Sequence, residues 1–285
     1  MEEKSFNKNG FNFPKNNAAK AILWALYPIG VYFAASIVVG FVVAVCVVFM
    51  TMMMRNDATL DEYTSLIYSY SGIILVAQQA VTLAATLPIF LIHKKYLPKP
   101  EKKNTISSLS LGVMFALGCC AVIGILQSLV FTLFSIQDST WAETQEILVS
   151  MPFILQIIAT VVLAPIVEEI MFRGMIMNRL MSRFPKWVAV VVSAVAFGVF
   201  HLNFTQGIFA TLTGLVFGFL YLKTRSILLC IFAHAANNLY ATLCSQISWS
   251  SDVNALVADI VLALVMLVPI FIIYVAKRNK KTIND

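Results

Sequence analysis

The sequence predicts an all-α, polytopic membrane helix bundle of about eight transmembrane helices, with both termini cytoplasmic. Three observations carry this. Of the 285 residues, 60% are hydrophobic and only 12% charged, with mean hydropathy +0.85, whereas a soluble domain carries about 25% charged residues. The apolar residues gather in runs long enough to cross a hydrocarbon core of about 30 Å. The strict alternation of a membrane barrel strand is absent, and lipid cannot satisfy free backbone groups, so the spans are helices.

In chain order the runs lie near 21–54, 65–92, 109–135, 149–182, 187–203, 206–222, 226–246 and 254–276. The first and fourth are overlong, so tilt, a kink or an interfacial stretch must absorb the excess. Pro165 removes one backbone bond and is the expected point of distortion in the fourth. The segment ahead of the first run lacks the short apolar core and cleavage site of a removable signal and is expected to remain as an anchor. The longest hydrophilic stretch, HKKYLPKPEKKNTISS, reads as a solvated cytoplasmic connector. Gly214 and Gly218 in the sixth run form a GxxxG, expected to serve close helix packing. The five cysteines all fall in spans, form no CxxC and read as small buried hydrophobes.

Charge distribution supports the eight-span arrangement. With the N-terminus inside, Lys4, Lys8, Lys15 and Lys20, the five lysines from Lys94 to Lys103, Arg173, Arg179, Arg183 and Lys186, Lys223 and Arg225, and Lys277, Arg278, Lys280 and Lys281 all lie towards the cytoplasm. Only Arg55 of the 20 basic residues falls on the other side, beside Asp57, Asp61, Glu62, Asp138, Glu143, Glu146 and Asp252. This is the positive-inside pattern. The net charge of +6 follows from topology, brings weak attraction to anionic membrane lipid, and calls for no nucleic-acid partner.

Ionisable residues at membrane depth are costly and point to function. They gather in the second half: Glu168, Glu169 and Arg173 in VLAPIVEEIMFRGMI, His201 in VAFGVFHLNF, and His234 with Asn237 and Asn238 in IFAHAANNLY. The first three runs offer nothing comparable. Glu169 and Arg173 are i,i+4, the spacing of a charge-neutralising pair. Glu168 points about 100° away and is the better base. His234 and Asn238 share one helix face, as do Phe197 and His201. Three domains follow: scaffold helices over 1–148, a chemical segment over 149–246, and a final span with a basic tail over 247–285.

At these residues the sequence resembles the CAAX prenyl protease and bacteriocin-processing (CPBP, or Abi) family of intramembrane endopeptidases. The family motifs EExxxR, FxxxH and HxxxN match EEIMFR from Glu168 to Arg173, FGVFH from Phe197 to His201, and HAANN from His234 to Asn238, in the family's order and on separate helices. The resemblance implies that Glu168 and His201 activate a water for attack on a peptide carbonyl, while His234 and Asn238 stabilise the oxyanion. Glu169, Arg173 and Phe197 would support them. Such relatives are also described as metalloproteases, and two histidines with a carboxylate make a catalytic zinc set. Glu168, His201 and His234 would then be the ligands. Spacing does not distinguish this from a metal-free glutamate mechanism, since HExxH is absent.

The expected substrate is a membrane-associated peptide, lipid-modified or not, and among bacterial relatives bacteriocin maturation or immunity is typical. Two other classes fit a buried Glu, Arg and His. One is a transporter, against which the missing repeat symmetry counts. The other is a non-catalytic membrane immunity or binding partner. Phe197 is expected to pack, His93 to sit at a span end without a role, and Asp259 to be solvated near the outer face.

The charge pattern makes one outcome specific. Reporter fusions within 55–64 and 136–146 should report the outer side, and fusions within 93–108 and at the C-terminus the inner side. An outer C-terminus would break the eight-span arrangement.

Overall fold

The computed structural model describes residues 18–54, 59–94, 97, 106–136, 138–247 and 252–284. The N-terminal residues up to Asn17, Arg55, Asp57 and the loop residues 98–105, with Lys95, lie outside the described residues, as does the side chain of His93. Every element is helical: α1 (Ala18–Met54), α2 (Leu60–Ser69), α3 (Ser71–Lys94), α4 (Ile106–Phe134), α5 (Ser139–Ser150), α6 (Phe153–Met181), α7 (Lys186–Phe200), α8 (Phe204–Thr224), α9 (Ile227–Ser245) and α10 (Asp252–Asn284). No strand occurs among the described residues. This is a multi-pass membrane protein.

Each predicted run is a helix, but they differ in reach. Seven are long and apolar enough to cross a membrane. The helix in the 187–203 run, α7, has 15 residues and so measures about 22 Å, short of a hydrocarbon core of about 30 Å. Two further short helices, α2 and α5, precede α3 and α6. Helix α5 buries none of its residues and carries Trp141, Glu143 and Glu146, a composition suited to the membrane interface rather than its interior.

The overlong fourth run is accommodated within α6 itself. Pro165 donates no hydrogen bond, and in a regular α-helix its ring would crowd the carbonyl of Val161. The turns ahead of it, Ile157–Leu163, are widened into π-helix, and a second π segment follows at Ile170–Met177. Between them stands the short α-helical stretch Ala164–Glu169. The helix therefore passes the proline by widening, a form of distortion characteristic of functional sites.

The chain divides into two compact units, residues 1–98 with 139–189, and residues 99–138 with 190–285. In the first, α1, α3 and α6 pack on one another. The buried hydroxyls of α3 close on carbonyls of their own helix: Thr82 Oγ1 donates to the carbonyl of Gln78 at 2.9 Å and Thr86 Oγ1 to that of Thr82 at 2.7 Å. In the second unit, α4 is the central helix and contacts α8, α9 and α10. Where α7 crosses α8, a Cβ on Gly198 would run into Thr211 Oγ1 and the carbonyl of Gly207, and one on Gly214 would lie 3.2 Å from Ala194 Cα and Phe197 Cδ1. Glycine is thus required for this close approach, and the packing expected of Gly214 is realised against α7.

Two expectations are corrected. Of the cysteines, only Cys120 and Cys230 are buried; Cys46 is exposed, and Cys119 and Cys244 are half-buried. A bilayer solvates an apolar thiol, so a small hydrophobe needs no protein core there. Asp259 is not simply solvated. It accepts a hydrogen bond from Tyr240 Oη at 2.8 Å and lies against Gly124 of α4. An intramembrane carboxylate is stabilised by such partners when a neighbouring helix can supply them.

Replacing Gly198 by alanine should cost about 1–3 kcal/mol of stability, since the crossing helices must move apart. Gly30→Ala, whose added Cβ meets nothing within 4 Å, should leave the melting temperature in the same detergent unchanged or slightly raised. Equal melting temperatures for the two variants would refute the close-approach account.

Candidate active site

In the first unit the polar centre is built on α6. Glu169 and Arg173 form an ion pair one turn apart, with Arg173 Nη1 donating to Glu169 Oε1 at 2.9 Å; the two side chains are 0% and 1% exposed. Burial this complete makes the pair interdependent, because removing either charge strands the other. Asn178 reinforces the second π segment from below, its Nδ2 donating to the carbonyls of Arg173 at 2.7 Å and Gly174 at 3.1 Å. These are carbonyls that a widened helix leaves poorly served.

Glu168 is also buried but belongs to a different neighbourhood. The Tyr32 phenol of α1 stands within electrostatic reach of its carboxylate, with the side-chain amides of Gln78 and Gln79 of α3 against the same phenol. Gln78 Nε2 in turn donates to Ser36 Oγ at 2.6 Å, and Ser36 donates to the carbonyl of Tyr32. The first two runs, which in sequence offered nothing comparable, thus supply Tyr32, Ser36, Gln78 and Gln79 to the surroundings of Glu168. Uncharged residues scattered over two helices carry no motif, and only a weak signal existed: a QQ pair inside an otherwise apolar span.

In the second unit the polar centre is built around one aromatic ring. Phe197 stands edge-on to both imidazoles, with ring centroids 4.9 Å from His201 and 5.8 Å from His234. His234 also stacks on Phe217 at 4.9 Å, a neighbour that sequence reading did not single out because its signal lies on another helix. His201 closes the C-terminal end of α7, and its Nδ1 lies 2.8 Å from the carbonyl of Phe197. A carbonyl only accepts, so Nδ1 bears the proton and the lone pair of the neutral ring falls on Nε2. That tautomer can take a proton from a bound group.

The turn behind His201 is tightly set. Leu202 adopts φ 54, a left-handed conformation that costs a β-carbon-bearing residue about 1–2 kcal/mol. Asn203 then caps α8, its side chain accepting from the Gln206 N–H at 2.8 Å. The next junction works the same way: Arg225 takes φ 54 and Ser226 caps α9 by accepting from the Leu229 N–H. Downstream on α9, His234 is buried and Asn238 half-buried, one turn apart on the same face.

Glu168, Glu169 and Arg173 therefore gather in the first unit, and Phe197, His201, His234 and Asn238 in the second. Among the described residues, no group of three or more His, Cys, Asp and Glu side chains is arranged to hold a metal ion.

Helices long and apolar enough to span a bilayer, with ionisable side chains buried among them, define a multi-pass membrane protein. The model of the type II CAAX prenyl endopeptidase Rce1-like family matches residues 150–240, a stretch that contains all seven of the residues above. The chain is also 30% identical over 169 residues to the Bacillus subtilis (strain 168) protein named "Putative membrane peptidase YdiL", covering 57% of this chain and 69% of that relative. The chain belongs to this family of membrane CAAX-type endopeptidases. No solved structure matches it significantly.

The two carboxylates should separate in their effects. Glu169→Gln strands the Arg173 guanidinium in a fully buried site and should cost about 3–5 kcal/mol, seen as a loss of folded yield after detergent extraction. Glu168→Gln, outside that pair, should extract at close to wild-type yield. Equal yields would show the two assignments to be wrong.

Proposed function

We propose that the protein is an intramembrane endopeptidase that hydrolyses a peptide bond in a membrane-associated peptide, with Glu168 and His201 sharing the work of activating water. The observation that carries this reading is the setting of His201: its Nδ1 is held on the Phe197 carbonyl, so Nε2 faces away as a base. Glu168 suits the complementary role because its carboxylate is buried on α6 with the Tyr32 phenol within electrostatic reach.

Water gives up a proton to the Glu168 carboxylate or His201 Nε2 as its oxygen attacks the carbonyl carbon. The negative charge that develops on the carbonyl oxygen is met by His234 and Asn238, donors on one face of α9. Fixed donors of this kind act without reorganisation, and losing one typically costs about 100- to 1,000-fold in rate. The proton then passes to the departing amine, completing general acid–base catalysis. Nothing in this sequence of steps requires the substrate to be lipidated.

Cleavage by purified protein of lipidated and unmodified peptides provides the test. Glu168→Gln, His201→Ala and His234→Ala should each abolish cleavage while the protein remains folded, and Asn238→Ala should retain a small residual rate. Residues acting as one unit are not additive, so the Glu168→Gln, His201→Ala double variant should be hardly worse than either single change. Metal analysis of the same preparation reports whether activity tracks a bound ion. Wild-type cleavage by Glu168→Gln would overturn the mechanism, and a wild type that cleaves none of the peptides would favour a partner that works by binding.

A further inference from the structure

We infer that Tyr240 and Asp259 form a positioning clamp that sets the rotation of α9, and with it the aim of His234 and Asn238. The inference rests on the proposed role of those two residues and extends it to two residues outside the family motifs.

The geometry is specific. Tyr240 Oη donates to Asp259 Oδ1 at 2.8 Å, joining α9 to α10. Both helices rest on α4, and there the carboxylate lies against Gly124, where an added Cβ would come within 2.6 Å of Asp259 Oδ2. Cys244, one turn beyond Tyr240, is within hydrogen-bonding reach of the same phenol. Three helices therefore meet at one polar junction, with a glycine making room for it.

Its place on α9 gives the junction its consequence. At about 100° per residue, Tyr240 stands about 120° around the helix from His234 and about 160° from Asn238. The clamp holds the back of the helix whose front carries the two residues. A hydrogen bond to a carboxylate in a low-dielectric surrounding is among the stronger ones. Apolar packing alone restrains helix rotation poorly, since lipid tails and leucines attract each other no less than leucines do. His234 lies about 9 Å along the axis from Tyr240, close enough for a rotation of α9 to be felt as a displacement of the imidazole against Phe197 and Phe217. Misplacing a reacting group by about 1 Å can cost about 100-fold in rate.

A merely structural tether and a clamp differ in what they move. The chain has three histidines, so ring-labelled protein in detergent gives three imidazole signals, assigned with single His→Gln variants. Tyr240→Phe and Asp259→Leu should each shift or broaden the His234 signal, and Asp259→Asn, which keeps an acceptor for the phenol, should restore it. Gly124→Ala reaches the junction without altering either partner, by pushing the carboxylate aside, and should move the same signal. Should Tyr240→Phe or Asp259→Leu fail to fold, this third variant decides.

With a peptide the wild type cleaves, the variants that move the signal should lose 10-fold or more in kcat with KM within two-fold, and Asp259→Asn should recover most of the rate. An unmoved His234 signal in folded Tyr240→Phe, Asp259→Leu and Gly124→Ala overturns the clamp, whatever their melting temperatures. If the wild type cleaves nothing, the proposed peptidase reading fails, and the His234 signal still decides whether the junction governs α9.

Discussion

A bilayer interior offers no water to a backbone N–H, a carbonyl or a charge, and this constraint governs the architecture of the chain. Each polar group that enters a span must find its partner within the protein. The helix satisfies the backbone, and the short polar side chains follow the same rule by turning back on their own helix: Ser36, Thr51, Thr82 and Thr86 each donate to the carbonyl four residues earlier. The fully buried ion pair of Glu169 with Arg173 is closed within a single turn of α6. A cation that had to seek its counter-charge on another helix would depend on the assembly of both; Arg173 and Glu169 neutralise each other as soon as α6 forms.

The same constraint gives the irregular stretch of α6 its meaning. Two π segments flank the six residues that end in Glu168 and Glu169. Widened turns cost hydrogen-bond quality, and here side chains repair part of that cost: Thr160 donates to the carbonyl of Gln156, and Asn178 serves two carbonyls at once. The irregularity lies at Pro165 and at the carboxylates. In the second unit the left-handed residues Leu202 and Arg225 play the corresponding part. Each ends a helix abruptly, so that the next can begin on a capped residue and return directly. Tight junctions leave little freedom in where His201 and His234 fall.

Of the candidate site, the spacing of residues along single helices was legible in the sequence. Glu169 with Arg173, and His234 with Asn238, are relations of four residues, which the helical period fixes before any packing occurs. Phe197 with His201 is a third, realised as both a ring contact and a backbone hydrogen bond. What surrounds these residues was not legible. Tyr32, Gln78 and Gln79 around Glu168, Phe217 beneath His234, and the Tyr240–Asp259 junction all join residues on different helices, where no period relates the numbers.

The sequence by itself determined that the chain lives in a membrane, that its spans are helical, and that the candidate site residues stand on three particular helices, because length, hydropathy and the 3.6-residue period act locally. It did not determine that the run at 187–203 would give a helix of only 15 residues, since apolar character continues past the point where Leu202 turns the backbone. Nor did it show that α6 would widen around Pro165, or that Asp259 would be gathered in by Tyr240 and Gly124. Those outcomes depend on which helices become neighbours. In lipid the hydrophobic effect does not choose between apolar surfaces, so the choice falls to close packing at small residues and to a few polar contacts, which exist only once the tertiary structure has formed.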